Sequence, residues 1–192
     1  MTRGLALLFA ALTMLSGAGH AQAQGFDMRD IMGGGPSFRG GGGGGSPIQR
    51  NTVSFPANYA PGTVVISTGE RRLYLVLGNG QALSYGIGVG RDGFRWSGTH
   101  RISAKREWPS WTPPSEMLRR RPDLPRHMEG GIENPLGARA MYLGSTLYRI
   151  HGSNEPETIG QAVSSGCFRL TNEDVIDLYN RVQVGATVIV QQ

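Results

Sequence analysis

Cys167 is the only cysteine of the 192-residue chain, and it stands in Ser164-Ser165-Gly166-Cys167-Phe168-Arg169, downstream of His151-Gly152-Ser153-Asn154. A single thiol cannot close an internal disulfide, so its place among small residues points to reactivity. A thiol attacks as thiolate, and from a free pKa of about 8.5 it needs a cationic or hydrogen-bonding neighbour to ionise near neutral pH. His151 is the histidine best suited to help. His20 lies in an apolar leader, and His100 and His127 lie in an irregular region, whereas His151 ends an apolar strand pattern and precedes a glycine. A lone histidine at such a place is ordinarily a satisfied core residue. The cysteine motif reverses that preference and predicts a base and a nucleophile hydrogen-bonded across two adjacent elements.

Gly166 has no Cβ, so the turn before the thiol can take positive φ. Backbone N–H groups there, that of Gly166 included, can then face the oxygen of a tetrahedral intermediate, each donor contributing about 3 kcal/mol. Arg169 has two equal readings: it holds a carboxylate of the substrate, or it pairs at the surface with Glu173 or Asp174.

The elements that must position these groups read as strands. Residues 63–67 and 72–77, then 82–89 after the turn Gly78-Asn79-Gly80, form a meander, and 140–143 with 147–150 form a hairpin that delivers His151 at a strand end. Thr171-Asn172-Glu173-Asp174 resembles a capped helix start, with Val175, Ile176, Tyr179 and Val182 at helical spacing. Gly185 stops the helix, and 187–190 is a closing strand. Between 91 and 137 the pattern breaks down into a stretch rich in Pro, Trp and Arg, including Trp108-Pro109-Ser110-Trp111. A loop of that length inside a domain is usually functional, so it is expected to border the active site. Each tryptophan is at least as well read as an anchor for the loop as a substrate contact.

The N-terminus predicts export. Arg3, the apolar run 5–15 and Ala21-Gln22-Ala23 have the form of a secretory signal peptide over 1–23, cleaved near Ala21 or Ala23. Such a run is too short to span a bilayer. Residues 24–54, with glycine at every position from 40 to 45, read as a flexible linker, which leaves 55–192 as one domain. The net charge of +5 favours an acidic partner, which outside the cytoplasm means wall polymer or anionic lipid. Arg119-Arg120-Arg121 lacks interleaved aromatics, so nucleic acid is not expected, and the run reads as a solvated face. No heptad marks an oligomer.

The joint pattern of His151-Gly152-Ser153-Asn154, Ile159-Gly160, Ser164-Ser165-Gly166-Cys167-Phe168-Arg169 and Asn172-x-Asp174-Val175 resembles the L,D-transpeptidase catalytic domain of bacterial periplasmic enzymes. Trp96-Ser97-Gly98-Thr99, Asn134-Pro135-Leu136-Gly137 and Ala140-Met141-Tyr142-Leu143 extend the likeness to 63–190. One departure is Ser165, where the family's usual Ser-His-Gly-Cys motif has histidine. The resemblance implies a mainly β, sandwich-like fold with a few short helices and one long active-site loop. It also implies acyl transfer on peptidoglycan stem peptides without metal or organic cofactor. Cys167 would be nucleophile and His151 general base and acid, with Ser165 supporting the loop in place of the imidazole. Arg169, Tyr142, Ser164 and Asn154 would contact substrate. The acyl acceptor could be a second stem, an envelope or outer-membrane protein, or water.

Three rivals are weaker. A papain-like peptidase places its histidine after the cysteine, and none follows Cys167. A metal site built from Cys167, His151 and His127 lacks close-spaced ligands. A non-catalytic wall-binding module would keep Cys167 as a small buried hydrophobe.

Overall fold

A computed structural model describes residues 45–192. The signal-peptide reading and most of the linker reading fall on residues outside that range. Eleven strands, two α-helices and a short 3-10 turn make up the described chain. They are β1 (Asn51–Ser54), β2 (Val64–Ser67), β3 (Arg72–Gly78), β4 (Gln81–Gly86), β5 (Val89–Gly90), β6 (Gly98–Glu107), α1 (Ser115–Arg120), β7 (Arg139–Leu143), β8 (Arg149–His151), the 3-10 turn Pro156–Thr158, β9 (Ala162–Ser164), β10 (Phe168–Arg169), α2 (Asn172–Arg181) and β11 (Thr187–Gln191).

Nine strands pair in the order β1-β4-β3-β2-β11-β6-β7-β8-β10, and β5 pairs with β9. The expected meander is β2, β3 and β4, joined antiparallel. β11 closes it by running parallel to β2, with Val188 opposite Val64. The pivot is β6. Its first residues pair with β11, and from Ile102 on it pairs with β7, with a register shift between Ile102 and Ala104. A strand that changes partners at a bulge turns a corner, so the two halves of the ladder face each other across one core. Leu73, Leu75 and Tyr85 from the meander share one core with Met141, Ile150 and Phe168 from the other half and with Val175 and Leu178 of α2.

Helix α2 begins as expected. Thr171 accepts a hydrogen bond from the Asp174 N–H at 3.2 Å, and Glu173 and Asp174 occupy the positive end of the helix dipole. Leu178, rather than Ile176, completes the buried stripe with Val175.

Two expectations are corrected. The stretch 91–137 is not irregular throughout, since it contains β6, the longest strand, and α1. The linker reading also ran too far, because Asn51–Ser54 forms β1 on the edge of β4. The chain before β1 is held as well. A Cβ on Gly86 or Gly160 would fall 2.5 Å or 2.8 Å from the Ile48 side chain, and Arg50 lies 3.2 Å from Asp174 and 3.4 Å from Asp177.

Candidate active site

β8 and β10 run parallel, with Ile150 opposite Phe168 and His151 opposite Arg169. Side chains alternate faces along a strand and agree across a parallel pair. Ile150 and Phe168 therefore point into the core, where both are buried. Arg149, His151 and Arg169 share the other face, and continuing the register past Phe168 brings Cys167 opposite Arg149.

That face opens on a cavity of about 300 Å³ lined by Arg149, His151, Ser165 and Cys167. Its remaining walls include Phe94, Leu147 and Tyr148, together with Trp111, Met117, Arg120 and Leu136 from the segment expected to border the site. Trp111, Met117, Leu124 and Leu136 form a small apolar cluster of their own. Trp111 is thus anchor and wall at once, while Trp108 is 45% exposed and lies outside the cavity. The basic run divides: Arg119 pairs with Glu116, Arg121 with Asp123, and Arg120 turns inward over the Phe94 ring.

The cysteine turn is braced from inside. Ser164 Oγ donates to the Cys167 carbonyl at 2.6 Å and accepts from the Gly166 N–H at 3.1 Å. Trp96 Nε1 donates to the Gly166 carbonyl at 2.8 Å, and its ring stacks on Tyr148 at 4.5 Å. Gly166 has φ +107°, and a Cβ there would meet Tyr148 Cε1 at 2.6 Å, so only glycine fits beneath that ring.

His151 is fully buried. Its Nδ1 meets the Gly152 carbonyl, an acceptor, so Nδ1 carries the proton and Nε2 keeps a lone pair. Nε2 is buried without a hydrogen-bond partner. Burial, reinforced by the charge of Arg169, holds the His151 pKa down at about 3, and the Gly152 carbonyl opposes this. Burial likewise pushes the half-buried Cys167 thiol up, against the opposing pull of the Arg149 charge. Thiol and imidazole are therefore both neutral at rest. The anticipated hydrogen bond between them is not made here, because Sγ reaches instead toward the Leu147 carbonyl at 3.8 Å.

Sequence reasoning placed other residues less well. Arg169 is 0% exposed, and its carboxylate partner is Glu155, with Nη1 to Oε2 at 3.2 Å, rather than Glu173 or Asp174. Nη1 also donates to Thr158 Oγ1 at 3.1 Å, so Arg169 ties the 3-10 turn to β10. The N–H of Gly166 is taken by Ser164, which removes it as an oxyanion donor, and Ser164 itself is buried inside the turn. Asn154 donates to the Glu133 carbonyl and lines a separate depression. Tyr142 carries the Arg149 guanidinium 5.1 Å above its ring and reaches the site through it. Ser165 does line the cavity, its Oγ buried and unpartnered. Arg149 was missed, although its i, i+2 relation to His151 in a strand already implied the shared face. His127 contacts Thr112 and Glu129, and among the described residues no group of three or more His, Cys, Asp or Glu is placed to hold a metal ion.

This fold defines a class. A family model described as the YkuD L,D-transpeptidase catalytic domain matches residues 61–190, and the chain belongs to that family. Among curated relatives, the probable L,D-transpeptidase ErfK/SrfK of Escherichia coli K12 is 37% identical over 134 residues, covering 65% of this chain and 42% of the relative. Putative L,D-transpeptidase YqjB of Bacillus subtilis is 30% identical over 142 residues, covering 69% and 74%. The match thus spans about two fifths of the E. coli protein. Among solved structures, the L,D-transpeptidase from Mycobacterium smegmatis shares the fold, with TM-score 0.55 at 19% identity over 68% of this chain and 58% of that one. A Brucella melitensis protein described as a probable carnitine operon oxidoreductase, caia, is 47% identical over 77% of this chain and 96% of that one, with TM-score 0.52. Gly88, Gly90 and Gly93 have the spacing of a dinucleotide fingerprint, but that motif needs a helix straight after its strand, and here β5 leads through a turn to β6.

Proposed function

We propose that the chain is an exported L,D-transpeptidase of the bacterial periplasm that acts on peptidoglycan through a cysteine acyl-enzyme. Cys167 turns from the Leu147 carbonyl toward His151 and gives its proton to Nε2 as Sγ attacks the carbonyl of the third-position L-centre of a donor stem tetrapeptide. The C–N bond to the terminal D-alanine breaks, His151 returns the proton to the leaving amine, and a thioester remains. An incoming amine then loses its proton to His151 and takes the acyl group, which frees the thiol. Because both partners start neutral, the proton moves with the attack rather than before it. No metal or organic cofactor takes part.

The observation that carries this reading is that His151, its Nε2 unpartnered and its Nδ1 fixed by Gly152, lines the same cavity as the only thiol. The family match supports the substrate class. The test is incubation of the full chain with a disaccharide tetrapeptide, followed by intact-mass measurement. An acyl adduct that is lost in Cys167→Ala together with D-alanine release supports the reading, and release that survives the substitution sinks it. Muropeptide digests then read the acceptor. Dimers joined between third residues mark cross-linking, protein-linked muropeptides mark attachment, and tripeptides alone mark hydrolysis.

A further inference from the structure

Arg149 has no place in the proton transfer just described, yet it is the charge that acts most strongly on the thiol. Cys167 lies one residue before β10, and extending the register of Phe168 on Ile150 by one step would bring it opposite Arg149. The Leu147 carbonyl accepts both from Cys167 Sγ, at 3.8 Å, and from Arg149 Nη1, at 3.2 Å, so thiol and guanidinium crowd one oxygen. Tyr142 supports the guanidinium plane from behind at 5.1 Å, and Arg149 Nε is buried without a partner.

The other charges around the thiol, Arg120 apart, are paired or neutral, and Arg120 is not among the charges that act on it. Arg169 of β10 is offset by Glu155 at 3.2 Å. On α1, Glu116 pairs with Arg119, and Arg120 lies over the Phe94 ring. His151 of β8 is held neutral by its burial. Among the described residues Arg149 makes no ion pair, and with its Nε buried its charge is free to meet an anion that forms beside it.

We infer that the Arg149 guanidinium, cradled on Tyr142, is the charge that stabilises the Cys167 thiolate. The inference rests on the reading of Cys167 as the nucleophile. His151 then serves as proton carrier and Arg149 as the fixed cation, which divides between two residues of one strand what an imidazolium does alone in a cysteine–histidine ion pair. An opposite charge within about 4–6 Å lowers the pKa of an acid by about 1–3 units, so Arg149 is expected to be worth at least about tenfold in thiolate population at a given pH.

The test is the pH dependence of alkylation of the full chain by iodoacetamide, in which the thiolate displaces iodide and forms a thioether. Wild type, Arg149→Gln and Arg149→Lys are compared, each first checked for a cooperative melt. The expected result is a titration midpoint that rises in Arg149→Gln, with an alkylation rate about tenfold lower at any pH below both midpoints, and is largely restored in Arg149→Lys. Superimposed profiles for wild type and Arg149→Gln, or equal shifts in Gln and Lys, overturn the inference. Should Arg149→Gln not fold, Arg149→Lys with Tyr142→Leu, which removes the ring under the cation, must still raise the midpoint. Failure here is separable from failure of the transpeptidase reading. An Arg149-dependent midpoint in an enzyme whose turnover survives Cys167→Ala would keep the cation and discard the acyl-enzyme, and the reverse pair of results would do the opposite.

Discussion

The floor and the wall of the cavity are built by different means. The floor is β8 and β10, two short strands whose inner residues, Ile150 and Phe168, are fixed in the main core, so that the pleat, with the bracing of the cysteine turn by Ser164 and Trp96, aims Arg149, His151 and Cys167. The wall is α1 and its flanking loops, held by Trp111, Met117, Leu124 and Leu136 in a separate apolar cluster. Residues in separate clusters couple weakly, so the wall can be resculpted without moving the reacting atoms. The candidate reacting groups and the cavity wall are therefore held by different cores.

That division can be broken in three places. The largest effect is expected at the floor. His151→Gln removes the proposed base while leaving the cavity, and kcat for D-alanine release from a tetrapeptide should fall by about 10²–10⁴-fold. A loss below about tenfold would move the proton transfer to another group.

Acid stability gives the next effect. An unfolded histidine takes up a proton as pH drops through 6.5, whereas folded His151 resists protonation down to about 3. Across that window the unfolded chain binds the extra proton, so stability is full above 6.5 and declines on acidification, by at most about 1.4 kcal/mol per pH unit for one site. Denaturant melts at pH 7 and pH 4.5 should therefore show a steeper loss in wild type than in His151→Gln. Parallel losses would mean that the imidazole is not the group that resists charging.

The smallest effect is expected from the wall. Trp111→Ala should lower kcat/KM for the peptide by about tenfold, chiefly through KM, while the pH profile of thiol alkylation stays where it is in wild type. A shifted alkylation profile would show that wall and floor are coupled after all.

The floor could be read from the sequence because a strand's period of two is a local property. Leu147 to His151 carries its own alternation, and the glycine beside the only thiol marks a turn. Thr171 and the acids after it marked α2 for the same reason, since an N-cap is satisfied within one turn. β6 escaped because Ile102 is its only buried hydrophobic residue, and its ladder bonds to β11 and β7 come from residues far away in the chain. β1 escaped as a short edge strand after a run of glycines. Arg169 was legible as a carboxylate holder. Its partner was not, since Glu155 reaches it only after the 3-10 turn folds beneath β10.

In the nine-strand order, β1 stands at one end and β10 at the other. Force arriving along the chain at Gly45 would first load Ile48, Arg50 and the ladder between β1 and β4. Among the described residues β1 pairs only with β4, so loss of that ladder would break none of the hydrogen bonds between β8 and β10 at the far end of the order.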